Sequence, residues 1–289
     1  MRLFILLASV FLLNLVPANA AHLDDAAFSN VPEISSGFRL LYIQQFPEGR
    51  AQFTAWAAEH PDDPFGQVAI AASYLFEEFY HQGVLTSDFF LNDKTFLNGI
   101  EGKPDLQRMQ GFDTAIENTR KLAARRLEEN PEDPEALYAL TLAAGMDSDA
   151  DMILRKRRME ALKRLKEANA HAKTLLAKRP EAADVYIALG SANYIIGSLS
   201  VGFRAMLWFG GIHGDKKLGM EQVGKTVEGG LYLKPFAKIM LALAARREKQ
   251  HKLAQRLLHE LAEEFPESPL YALEYAKAMG RSIPATVHH

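Results

Sequence analysis

The residues that most resemble a reaction site lie at positions 219–226. They read Gly-Met-Glu-Gln-Val-Gly-Lys-Thr, which fits the phosphate-binding P-loop pattern. A working P-loop needs a buried strand before it and a helix after it, so that backbone N–H groups converge on the phosphates. The preceding residues are rich in glycine and lysine, and Asp215 can cap a helix that runs through the motif. The context therefore favours a helix over a nucleotide site.

Histidines and carboxylates give only a weak indication of a metal site. None of the nine histidines forms the helical pair with glutamate that zinc hydrolases use. His259 and Glu263 could supply half a site, but their spacing is also typical of a surface pair. Asp147, Asp149 and Asp151 alternate as in a calcium loop, without the glycine and glutamate that complete one. We expect no metal and no cofactor, and no Ser-His-Asp arrangement indicates an enzyme.

The most concentrated charge is the run Arg155-Lys156-Arg157-Arg158, which Lys163, Arg164 and Lys166 follow. Such a run is typical of the solvated side of an amphipathic helix. The functional alternative is contact with anionic lipid headgroups or with an acidic partner. No aromatic residues interleave with the basic ones, so nucleic acid is not an expected partner.

The amino-acid composition limits the classes of protein to which the chain can belong. The chain has 289 residues, of which 48% are hydrophobic, enough to bury a large core. Its net charge of −3 gives no general attraction to nucleic acid or to anionic lipid. The absence of cysteine excludes a disulfide framework and a thiol nucleophile.

The first twenty residues have the pattern of a signal peptide. Arg2 precedes an apolar run at positions 3–16, and Ala18-Asn19-Ala20 forms a small-residue cleavage site. We expect cleavage between Ala20 and Ala21, which leaves residues 21–289 as one domain in the periplasm. No later segment reaches transmembrane length.

The elements that must position any site are helices. From Ser35 onward the apolar residues recur at steps of three and four, and strand patterns are scarce. Pro61, Pro131, Pro180 and Pro266 stand in similar contexts, each where one helix is expected to end and another to begin. The sequence therefore predicts an all-α protein of helical hairpins.

A large residue beside a small one follows each proline by nine and ten positions, which allows close helix approach. The pairs are Ile70-Ala71, Leu140-Thr141, Leu189-Gly190 and Tyr275-Ala276. Together with Ala254, Leu258 and Leu261, they resemble the tetratricopeptide repeat (TPR), whose clearest copy spans residues 234–280. The glycine-containing stretches at residues 194–199, 210–216 and 228–230 further resemble exported bacterial TPR proteins without an assigned role. The resemblance implies a solenoid of irregular repeats.

In such a solenoid the first helix of each repeat lines the concave face, which is the expected binding surface. Counting from the prolines places there Phe65, Val68, Tyr138, Leu142, Asp184, Ile187, Ser191 and Tyr194. This mostly apolar set suits an amphipathic peptide, a helix or an apolar small molecule. The chain itself could equally fill the groove, for example with residues 89–97, because so apolar a patch would otherwise promote aggregation.

Two functions remain open after these observations. The first is a noncatalytic protein-binding or scaffolding protein in the periplasm, with an unknown protein or peptide partner. The alternative is a component that binds an apolar or organic-acid small molecule for a transporter, in a cavity beside residues 197–215. The apolar connection at residues 83–105 is expected to pack over one surface of the helices.

Overall fold

The computed structural model describes residues 28–209 and 211–281, and within them it is all-helical, which confirms the all-α part of the prediction. The predicted signal peptide and its cleavage site lie outside the described residues. In the described part, no helix is long and apolar enough to cross a bilayer. The helices are α1 (Pro32–Tyr42), α2 (Phe46–Glu59), α3 (Pro64–His81), α4 (Ser87–Leu91), α5 (Asp93–Asn98), α6 (Leu106–Glu129), α7 (Pro134–Asp149), α8 (Arg158–Lys178), α9 (Tyr186–Ser198), α10 (Val201–Phe209), α11 (Lys216–Gly229), α12 (Lys234–Arg247), α13 (His251–Glu264) and α14 (Pro269–Ala278). A π-helical turn (Ala150–Leu154) follows α7, and a 3-10 turn (Ala183–Val185) precedes α9.

Prolines and aspartates set where several helices begin. Pro64 and Pro134 occupy the first positions of α3 and α7, where a missing N–H costs nothing. The carboxylate of Asp63 accepts a hydrogen bond from Phe65 N at 2.7 Å, and that of Asp133 accepts one from Ala136 N at 2.8 Å. The four predicted boundaries are confirmed, since one helix ends before and another begins after each of Pro61, Pro131, Pro180 and Pro266.

The helices alternate between two layers. Helices α1, α3, α7, α9 and α12 contact one another in that order and form the inner layer. Helices α2, α6, α8, α11 and α13 pack between successive inner helices and form the outer layer. Each inner helix is followed by its outer neighbour, so the inner helices all run in the same direction.

The two ends of this helical array meet. The hydroxyl of Tyr232, just before α12, donates to Ser29 O at 2.6 Å and accepts from Val31 N at 3.0 Å. Arg39 of α1 pairs with Glu267 after α13 at 2.8 Å, although both side chains are half exposed. Because residues about two hundred positions apart are joined, the inner layer closes on itself, and we call its inward side the interior.

The connection at residues 83–105 packs as expected. Its Val84 is fully buried, and it contains the short helices α4 and α5. Ile100 N donates to Ile153 O in the π-helical turn at 3.0 Å, and Arg247 at the end of α12 donates to Phe90 O at 2.8 Å. The α4–α5 segment therefore bridges the C-terminal ends of α7 and α12.

Candidate functional site: an interior crevice on α7

The residues predicted to line a concave groove are mostly inaccessible. Leu142 and Ser191 keep partial exposure. The buried ones are Phe65, Val68, Tyr138, Asp184, Ile187 and Tyr194. In this structure these positions do not form an open peptide groove at the N-terminal ends of the inner helices.

Aromatic rings fill the interior at the N-terminal ends of the inner helices. Phe65 lies with its ring centroid 5.6 Å from that of Tyr138 and 5.4 Å from that of Tyr232. Phe38 of α1 stacks on Tyr232 at 5.4 Å. At this end Tyr232 and α1 of the chain itself occupy the interior, whereas residues 89–97 lie at the other end.

Asp184 joins the 3-10 turn to the segment before α12 and lines no open surface. Its carboxylate accepts hydrogen bonds from the backbone N–H groups of Leu231, Tyr232 and Leu233, at 3.0, 2.9 and 3.2 Å. Burial raises the pKa of this carboxyl, and the three N–H donors oppose that rise. The role of Asp184 is therefore to hold the backbone that carries Tyr232.

One side of α7 leaves open space at the C-terminal end of the interior. We name it the α7 crevice and define it by Leu142, Gly145, Met146 and Asp149, which share one side of the helix by their spacing. Leu142 and Met146 are partly buried against the main core. A side chain added at Gly145 would meet no other atom within 4 Å of its Cβ. The crevice thus has an apolar wall and a single carboxylate.

Asp149 points away from the outer layer. Asp147, two residues earlier, pairs with Arg120 of α6, and Ser148 donates to Ala161 O of α8 at 2.9 Å. Side chains two positions apart on an α-helix diverge by about 200°. Asp149 therefore faces the interior, at the end of α7 that the α4–α5 segment adjoins.

Asp149 combines two properties that rarely coexist. Its side chain borders open space and is exposed. The protein around it nevertheless removes enough water to raise the pKa of the carboxyl to about 7. Within the described part of the chain, no hydrogen-bond donor or cation contacts it. These properties fit a carboxyl on a surface that water reaches but that other parts of the protein surround.

The prediction of a solvated basic side of a helix is confirmed for Arg158, Lys163 and Lys166, which are exposed on α8, but it does not hold for the start of the run. Arg155 lies before α8 and pairs with Asp147 and Asp151, at 3.1 Å in both cases. Arg157 also binds Asp151, at 3.0 Å. The buried carboxylates of Asp147 on α7 and Asp151 in the π-helical turn hold these guanidinium groups, because an unpaired buried charge would be costly.

A polar cleft of about 530 Å³ opens beside this charge cluster. Its lining is Asp113, Ile116, Glu117, Arg120, Asp147, Arg155, Arg157 and Arg164. The four arginines pair with the carboxylates of Asp113, Asp147 and Asp151, so their positive charge is largely compensated within the chain. The cleft offers little net charge to an external anion.

The P-loop-like residues lie within the continuous helix α11. Thr226 is fully buried, and its Oγ1 donates to Ala183 O at 2.7 Å. Lys225 is exposed and places its Nζ 4.2 Å from the ring centroid of Tyr186. A helical backbone cannot wrap phosphates, so the motif is not a nucleotide site.

The histidine pair is a surface feature. His259 Nε2 lies 3.7 Å from Glu263 Oε1, and the imidazole stacks on Tyr275 with a centroid distance of 5.0 Å. Among the described residues, no three histidines or carboxylates are grouped so that they could hold a metal ion.

A second, shallow cleft of about 320 Å³ lies between the end of α9 and α10. The sequence predicted a cavity between the helices and residues 197–215, and this open cleft is what the structure has there. Its lining is Ile196, Val201, Arg204, Ala205, Trp208, Ile212, His213 and Gly214. Val201 and Trp208 are largely exposed, so this cleft is open to the outside.

Comparison with models of known protein families, with curated proteins and with solved structures finds no match to this chain. The interpretation of the α7 crevice therefore depends on its own geometry.

Proposed function

We propose that this chain is a noncatalytic binding protein whose ligand is a small molecule held in the α7 crevice. The observation that carries this proposal is that one end of the interior is filled by side chains and the other end is not. Aromatic rings fill the N-terminal ends of the inner helices, whereas open space remains beside Gly145 and Asp149. An extended peptide would need the filled end, but a small molecule needs only the space that is open.

The proposal includes a TPR-like arrangement of the helices. The pairs α1/α2, α3/α6, α7/α8, α9/α11 and α12/α13 each join an inner helix to the next outer helix. This alternation, together with the repeated proline turns, supports a solenoid of irregular hairpins. The pattern of residues 1–20 supports export to the periplasm, where such a protein could deliver its ligand to a transporter.

A protein-binding scaffold is the second candidate. The exposed apolar side chains on α10 favour it, since Val201 is 74% exposed and Trp208 60% exposed. Large aromatic side chains of this kind often anchor protein interfaces. This candidate would place the partner on the outside of the molecule and leave the α7 crevice without a role.

Native mass spectrometry tests which candidate is correct. The full chain, expressed with its own leader and purified gently, is expected to carry a discrete small mass that is lost on denaturation. Gly145→Leu should abolish that mass, because the new side chain fills the open space. Gly224→Leu is the matched control, since Gly224 on α11 also has no other atom within 4 Å of an added Cβ. A bare polypeptide, or one carrying a second protein, would contradict the small-molecule proposal.

A further inference from the structure

The geometry of the α7 crevice points to the charge of its ligand. We propose that it binds an organic cation, with an ammonium group against the Asp149 carboxylate and an apolar chain along Leu142, Gly145 and Met146. This inference rests on the proposed function and adds the chemical class of the ligand.

The first argument is the contrast among three neighbouring aspartates. Asp147 and Asp151 are buried and have arginine partners: Asp147 binds Arg120 at 2.6 Å, and Asp151 binds Arg157 at 3.0 Å. Asp149, between them in sequence, has no such partner among the described residues. A carboxylate beside an apolar surface is stabilised by a cation in contact with it, and no cation among the described residues contacts this one.

Cations near this end of the interior are engaged elsewhere. Arg158, at the start of α8, donates to Leu97 O at 2.7 Å. Arg247, at the end of α12, binds Phe90 O at 2.8 Å and also pairs with Asp93. Each of these contacts holds the α4–α5 segment in place. None of these contacts reaches Asp149, so its carboxylate is left accessible to the cationic group of a ligand.

The second argument is the apolar wall beside the carboxylate. Leu142 and Asp149 are seven residues apart on α7, which corresponds to about 10 Å along the helix axis. Leu142 and Met146 present hydrocarbon and a thioether over this length, and Gly145 leaves room between them. An aliphatic amine with a chain of about six carbons matches a carboxylate at one end of such a wall. An organic acid would place its charge against a like charge.

Titration calorimetry at pH 8, where the carboxyl is ionised, tests the inference with three six-carbon probes. Hexylammonium is expected to bind the full chain more tightly than hexanol, and hexanoate is expected to bind least. Asp149→Asn should weaken the binding of hexylammonium about tenfold or more, because the charge-assisted contact is lost. Asp62→Asn changes an exposed aspartate in the turn before α3. This variant should bind hexylammonium with the same affinity as the unsubstituted chain.

Two results separate failure of this inference from failure of the proposed function. If hexanoate binds best, or if Asp149→Asn leaves hexylammonium binding unchanged, the cation assignment is wrong, while a copurified small mass would still support the carrier. If none of the probes binds and no small mass copurifies, both proposals fail. Gly145→Leu should remove hexylammonium binding in a folded protein, which separates loss of the site from loss of the fold.

Discussion

Asp184→Ala is expected to lower the free energy of unfolding by about 3 kcal/mol or more. The substitution leaves the N–H groups of Leu231, Tyr232 and Leu233 without the carboxylate that now accepts all three. Each unsatisfied buried donor costs about 1–3 kcal/mol, and removal of the desolvated charge offsets part of the sum. Urea denaturation followed by circular dichroism measures the change.

Asp215→Ala provides the matched control for this prediction. Asp215 is exposed and caps α11 through a single bond to Leu218 N at 2.9 Å. Its loss should cost only about 1 kcal/mol, as for other N-caps. Equal effects of the two substitutions would show that Asp184 does not hold the Tyr232 segment as described.

Gly219→Ala and Gly224→Ala are expected to change stability in opposite directions. A Cβ at Gly219 would lie 2.5 Å from Tyr194 N and 2.8 Å from Gly190 O, so α9 and α11 would have to move apart. Such overpacking costs about 2–3 kcal/mol. At Gly224 an added methyl meets open space, and alanine should stabilise the helix by about 0.5–1 kcal/mol.

The same pair of variants tests the helical interpretation of residues 219–226. If the motif formed a phosphate-binding loop, both glycines would be needed for backbone conformation and alanine would be harmful at each. Thermal unfolding of the two variants distinguishes these cases. A loss of stability in Gly224→Ala comparable to that in Gly219→Ala would contradict the placement of the motif in α11.

Local signals in the sequence were sufficient to predict the helices. A proline in the first turn and a capping aspartate act within a few residues, which is why the starts of α3 and α7 could be placed. The close approach expected at Gly190 is also observed, since Gly190 and Gly219 lie against each other where α9 crosses α11. These features depend on short sequence separations.

The filling of the concave face could not be predicted, because it depends on contacts between distant residues. Tyr232 reaches Phe65 and Val31 only after the helical array has closed on itself. Counting positions from each proline identified inward-facing residues such as Phe65 and Tyr138, but it could not show what they face. The curvature of the helical array decides whether the inward-facing side chains line an open groove or form a packed core. No local sequence pattern specifies that curvature.

Asp149 was also missed as a site residue, although a signal for it exists. Alternation with Asp147 and Asp151 placed it in an acidic group, whereas helical geometry separates it from Asp147 by about 200°. Its spacing from Leu142, Gly145 and Met146 puts a single carboxylate on an otherwise apolar side of α7. A charged residue in an apolar helical stripe was therefore the informative pattern.

The most direct test of the account is the ionisation of Asp149 in the folded protein. Carboxyl ¹³C NMR across a pH titration, with the signal assigned by its loss in Asp149→Asn, measures that pKa. We expect a midpoint near pH 7, because the surrounding protein disfavours the charged form of the carboxyl. When hexylammonium is present, we expect a lower midpoint. A midpoint near the ordinary value for aspartate, unaffected by hexylammonium, would contradict an interior crevice that binds a cation.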